Sequence, residues 1–323
     1  MKIRKTNILT QKLIDFLILG KNFCLSLDEE DYILKKASEN RILYELCTKG
    51  KKAGIFKSVS KIDQIIKEGD FYLERLKATL KYINEEFTAD KLVVKTNKIR
   101  RYITYDVDLL VRNPEFFFNK LQIKAHPQGN IRKQTNLIGK DLLTIDLHCG
   151  FHWQGSEYLD LNTVWSHPRK VLIQGVTVLT PSREAEILIN LAHFLFERRY
   201  LTILEFWYFF DEFKKGLDLK YIFDQAKNYQ WMESLQMALA AMETLAREYL
   251  GERGVFSNKI LLRSCIYFPF FFTLSEGMNI YREKFIKKRE IPIYDISYYF
   301  FSTFRYYLSG KKIFPYYREW YSF

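Results

Sequence analysis

The chain has 323 residues, 48% of them hydrophobic, and 50 Lys and Arg against 38 Asp and Glu, a formal net charge of +12. That composition supports a full core and excludes global disorder, and without a run of about 18 apolar residues no transmembrane helix is expected. The basic balance points to anionic partners such as nucleotides, nucleic acid or anionic lipid, or to a generic lysine-rich surface.

Taken in order, the first 85 or so residues read as helical. The start, MKIRKTNILTQKLIDFLILGKNF, is basic, but Lys12 and Asp15 interrupt its apolar stretch and no small-residue cleavage site follows. It reads as a helix and not as a signal peptide. DEEDYILKKASENRILYELCTKG suggests one helix, with Asp28 as N-cap and Gly50 just past its end. In the next segment Ile62, Ile66, Leu73, Leu76, Leu80 and Ile83 recur at helical spacing.

The pattern then changes to short β-type runs: 90–96, 105–111, 142–151 and 170–180. Residues 113–123 between them read as a helix capped by Asn113 with Pro114 in its first turn. From Thr180, taken as an N-cap, helices return, and the run 231–250 closes at Gly251. The expected fold is α+β. A small mixed-sheet core at 88–181 would lie between a helical region at 1–87 and another at 182–323.

Cys24, Cys47, Cys149 and Cys265 are scattered and form no C-x-x-C. Neither a disulfide framework nor a zinc ribbon is indicated, and a reducing cytoplasm fits. There is no P-loop, kinase signature or serine or cysteine nucleophile motif. The basic, tyrosine-rich C-terminus suits aromatic packing, base stacking or a membrane surface.

The run YDVDLLV poses a chemical question. Side chains alternate along a strand, so Val107, Leu109 and Val111 form a core face while Asp106, Asp108 and Leu110 take the other. The two carboxylates stand roughly 6.6–6.8 Å apart along the strand. Like charges this close need a cation between them or open water around them. A bare D-x-D reads first as a solvated strand face or a turn-flanking acidic pair. LLTIDLHCGF repeats the feature, with Thr144, Asp146 and His148 on one face and Leu143, Ile145 and Leu147 on the other. Two aspartates on one strand and a third on a neighbour supply the hard oxygen donors that a pair of magnesium ions takes.

At these residues the sequence resembles the nucleotidyltransferase superfamily with the polymerase-beta-type palm. It is most similar to a stand-alone branch with a D-I-D-L-L-V motif and a later V-D-L-H-W-type strand. The carriers are LVVKT, YDVDLLV, TIDLHCGFHW and the helix opening TPSREAEILINLAHF, within about residues 30–230. The resemblance implies an enzyme that transfers a nucleoside monophosphate from an NTP to an acceptor, with Mg²⁺ or Mn²⁺ held by Asp106, Asp108 and Asp146. Asp146 would also activate the acceptor hydroxyl. Where the superfamily usually has Gly-Ser, this chain has Lys95-Thr96-Asn97. Thr96 would supply a hydroxyl and Lys95 a point charge to phosphate, with Arg100, Arg101 and His148 beside them. His193 is either a packed histidine or a further cleft residue, and a histidine at this place belongs to the resemblance. Expected partners are a nucleotide and an acceptor such as RNA, tRNA, a protein or a small molecule. The alternative is a degenerate module of the same fold that binds nucleic acid or a protein partner without chemistry.

Overall fold

The computed structural model describes residues 2–87, 90–96, 103–113, 116, 133–135, 141–153, 156–198 and 201–256. The N-terminal region is built from helices α1 (Lys2–Leu17), α2 (Leu27–Glu39), α3 (Leu43–Lys52) and α4 (Val59–Glu86). What reads as one helix over 28–50 is two. Ser26, not Asp28, caps α2 through a capping box with Glu29. The chain breaks before α3 at Arg41, which has a left-handed φ of 61°. Gly50 does not terminate α3. It lies inside, where a Cβ would come within 2.2 Å of the Phe56 ring. Glu30, 1% exposed, accepts the backbone N–H groups of Lys57 and Ser58 at 2.8 and 3.2 Å, tying α2 to the start of α4.

The fold is α+β around a four-stranded mixed sheet. Its strands are β1 (Lys91–Val94), β2 (Asp106–Val111), β3 (Lys133–Thr135) and β4 (Thr144–His148), in the order β1-β2-β4-β3. β1 and β3 run antiparallel to their neighbours, while β2 and β4 are parallel. A two-stranded pair, β5 (His152–Trp153) and β6 (Ser156–Glu157), and a short helix α5 (Leu161–Ser166) follow. The run 170–180 is a hairpin and not one strand: β7 (Arg169–Ile173) and β8 (Val176–Thr180) turn at Gln174 and Gly175. Both turn residues have positive φ, 48° and 76°, as a two-residue type I′ turn requires. Apart from Asn113, whose side chain accepts the Phe116 amide at 3.1 Å, and Phe116 itself, the helix expected over 113–123 lies outside the described residues. The aromatic tail lies outside them entirely.

Helix α6 (Arg183–Ala192) is capped by Ser182, whose hydroxyl accepts the Ala185 amide, while Thr180 ends β8. Its last turns widen into a π-helix at His193–Arg198. Then come α7 (Ile203–Lys214), α8 (Leu219–Asn228) and α9 (Met232–Leu245), the last continuing as a π-turn to Gly251 at φ 70°. No helix among the described residues is long and apolar enough to cross a membrane.

The cores do not follow the order of the chain. Residues of α1–α3 and of the helices after the sheet share one apolar cluster, running from Leu9 to Phe256. A second cluster lies between α4, the hairpin and one face of the sheet. There Val107, Leu109, Val111, Ile145 and Leu147 meet Leu76, Leu80 and Ile83, and the Thr79 hydroxyl accepts the Leu143 amide at 2.8 Å. The opposite face sends Leu92, Val94 and Leu110 into the larger cluster. Asp106 and Asp108 share that face with Leu110.

Candidate active site

Parallel pairing of β2 with β4 sets Asp108 beside Asp146, Asp106 beside Thr144, and Leu110 beside His148. Neighbouring strands lie about 4.8 Å apart, so the two central aspartates are lateral neighbours. On their outer sides Val94 pairs with Asp108 and Gln134 with Asp146. The alternation read from the sequence holds: Val107 and Leu109 are fully buried, and the two aspartates between and before them are half-buried.

The centre is Asp108. Its Oδ1 lies 3.2 Å from the Lys95 ammonium and 2.6 Å from Nε2 of His148. All three side chains are largely enclosed, 17% exposed for Asp108, 8% for Lys95 and 18% for His148. Burial pushes the Asp108 carboxyl up, but the Lys95 charge and the His148 hydrogen bond outweigh it and hold the group far below the usual carboxylate range. With Nε2 as donor to the carboxylate, His148 carries its lone pair on Nδ1. Asp106 is held separately: the Thr104 hydroxyl stands 2.8 Å from both its Oδ1 and its carbonyl.

Lys95 reaches Asp108 from an unusual backbone. Just past the end of β1 it adopts a left-handed φ of 59°, costly for a residue with a Cβ. Its N–H donates to Oε1 of Glu186 at 2.8 Å, and Asn190 Nδ2 donates to the same oxygen at 3.3 Å. Glu186 and Asn190, 0% and 1% exposed, stand one turn apart on α6. The first turn of that helix therefore braces the strand end that aims the lysine.

The remaining expected residues divide. Thr96 is buried, and its hydroxyl donates to the Val94 carbonyl at 3.1 Å, turned onto the backbone and not towards Asp108. His193 shares the α6 face of Glu186 and Asn190 but stands seven residues past Glu186, about 10 Å along the axis. It opens the π-helical segment, a distortion common near functional sites. Arg100 and Arg101 lie outside the described residues. Sequence reading missed Glu186 and Thr104 as site residues. A glutamate followed four residues later by an asparagine within the otherwise apolar AEILINLA is the signal that could have found Glu186.

A divalent ion takes several oxygen donors within about 2.6 Å of one point. Among the described residues no group of three or more His, Cys, Asp and Glu side chains gathers in that way. The carboxylates are neighbours in the sheet, but Asp108 is turned onto an ammonium and an imidazole. As folded, the donor set does not fit the magnesium or manganese ions that the resemblance implies.

Compared with known proteins, the chain matches no family model, no curated protein and no solved structure.

Proposed function

We propose that the chain is a nucleotidyltransferase that moves a nucleoside monophosphate from an NTP to a hydroxyl acceptor at the Asp106, Asp108 and Asp146 face. The observation that carries the reading is the register: Asp108 and Asp146 adjacent on parallel strands, with Asp106 on the same face. A sheet that needed only stability would place apolar side chains there, because buried charge costs more than it returns.

The chain's own residues supply parts of the chemistry. Asp108 orients His148 through Nε2, which leaves Nδ1 to accept the proton of the acceptor hydroxyl. The acceptor oxygen bonds to the α-phosphorus as the bond from that phosphorus to the bridging oxygen breaks, and pyrophosphate leaves. Lys95 offers a positive charge to the polyphosphate, and positioning does most of the work.

The test is calorimetric titration of each of the four NTPs into wild type and into Asp106→Asn/Asp108→Asn, with and without Mg²⁺, followed by transfer of label from the NTP that binds. Binding and transfer by wild type that the double variant loses support the reading. Absence of NTP binding by folded wild type defeats it.

A second reading has its own observation. Lys95 already neutralises Asp108, as in a module that binds nucleic acid or a protein partner without catalysis, and the net charge of +12 favours a polyanion. RNA binding with steep salt dependence, unchanged by Asp108→Asn or by magnesium, would select it.

A further inference from the structure

The mismatch between the carboxylate face and a divalent ion has a definite cause, which deepens the transfer reading and rests on it. We infer that Lys95 is a built-in counter-cation that bars divalent metal from Asp108 until the lysine is drawn off the carboxylate. Three observations converge. The ammonium lies 3.2 Å from Oδ1 and its side chain is only 8% exposed, so it is a fixed part of the site and not a rim lysine sampling water. Its backbone is held left-handed by a fully buried glutamate that accepts its N–H. The same Oδ1 also lies 2.6 Å from Nε2 of His148, so the ammonium and the imidazole converge on one oxygen.

A dication brought to Asp108 would meet the ammonium at contact distance, and like charges exclude one another there. A polyphosphate changes the balance, because its oxygens attract the lysine and the dication together. With the lysine on Asp108, the free protein stays metal-poor.

Manganese titrated into the full chain, with the free ion followed by electron paramagnetic resonance, tests this directly. The proteins are wild type, Lys95→Met, Lys95→Gln and Lys95→Met/Asp108→Asn. Lys95→Met removes the charge at similar length and should bind Mn²⁺ about tenfold tighter or more than wild type. The double variant should lose that gain, showing that it passes through Asp108. Lys95→Gln keeps a hydrogen-bond donor to the carboxylate and should gain less. It decides the question if the methionine variant does not hold its fold.

Equal affinity in wild type and every folded Lys95 variant overturns the inference. If the variants gain Mn²⁺ while neither they nor wild type take up any NTP, Lys95 keeps its assignment and the transfer reading falls. If NTP is transferred while Mn²⁺ affinity ignores both substitutions, the transfer reading stands and the Lys95 assignment falls.

Discussion

On one side of β2, Val107, Leu109 and Val111 meet Leu76, Leu80 and Ile83 of α4 in an apolar layer. On the other side the same strand presents Asp106 and Asp108, and a lysine, a histidine and a buried glutamate are arranged around them. Both faces are covered by helices, so exposure to solvent does not explain the contrast. The first face is held by shape and volume, where one aliphatic side chain substitutes for another at modest cost. The second is held by charges that must each find a partner, an arrangement that specifies geometry at the expense of stability. Covering a carboxylate and then neutralising it from within the chain sets the second face apart from a packing surface.

The largest effect that would test this contrast is on the apolar face. Leu109 is 0% exposed, and Leu109→Ala should cost about 2–5 kcal/mol in urea unfolding. The folded fraction should bind ligand like wild type. Lost binding without lost stability would mean that the two faces are not separable. On the polar face, Glu186→Ala removes the acceptor of the buried Lys95 N–H and should cost about 1–3 kcal/mol. Glu186→Gln keeps an acceptor and should recover most of that. If alanine and glutamine behave alike, the brace on Lys95 does not act through this hydrogen bond.

Acid sharpens the comparison further. The Asp108 carboxyl is held below its ordinary value of 3.8. Its stabilising contribution is therefore complete above about pH 4 and is lost as the pH falls from there towards the folded value. Urea midpoints measured from pH 6 to pH 3 should fall less steeply in Asp108→Asn than in wild type, while Leu109→Ala should keep the wild-type slope. Parallel curves for wild type and Asp108→Asn would remove Asp108 from the acid transition. The smallest effect belongs to the cap of the bracing helix: Ser182→Ala should cost about 1 kcal/mol, read as a modest drop in melting temperature.

The two faces also differ in how far the sequence exposed them. The alternation in YDVDLLV and TIDLH was visible because period-2 patterning is local, and both faces follow it. The helical and strand character of most segments was visible for the same reason. What sequence alone missed depends on contacts across the chain or on single backbone angles. Asp146 was legible as a carboxylate on a neighbouring strand, but the parallel register that sets it directly beside Asp108 joins residues 38 apart, and no local pattern encodes it. Lys95 read as a phosphate contact, and nothing local announced the left-handed turn, braced by Glu186 from 91 residues away, that brings it onto Asp108. KVLIQGVTVLT read as one strand because apolar residues flank Gln174-Gly175 on both sides, and the turn shows only in the positive φ of both residues. Thr180 and Ser182 are both good caps, and the pairing of Arg169 with Thr180 in the hairpin decides between them.

The apolar cluster that runs from Leu9 to Phe256 has a consequence for biosynthesis. Leu13, Ile14 and Leu17 leave the ribosome early and α2 and α3 follow at once, but the segment around Tyr249, whose carbonyl accepts from Gln11 of α1, follows only after most of the chain has been made. At about 5–20 residues per second that interval is on the order of tens of seconds. Throughout it the first helix has only α2 and α3 as cover. Slow codons between the sheet and the last helices would lengthen that wait.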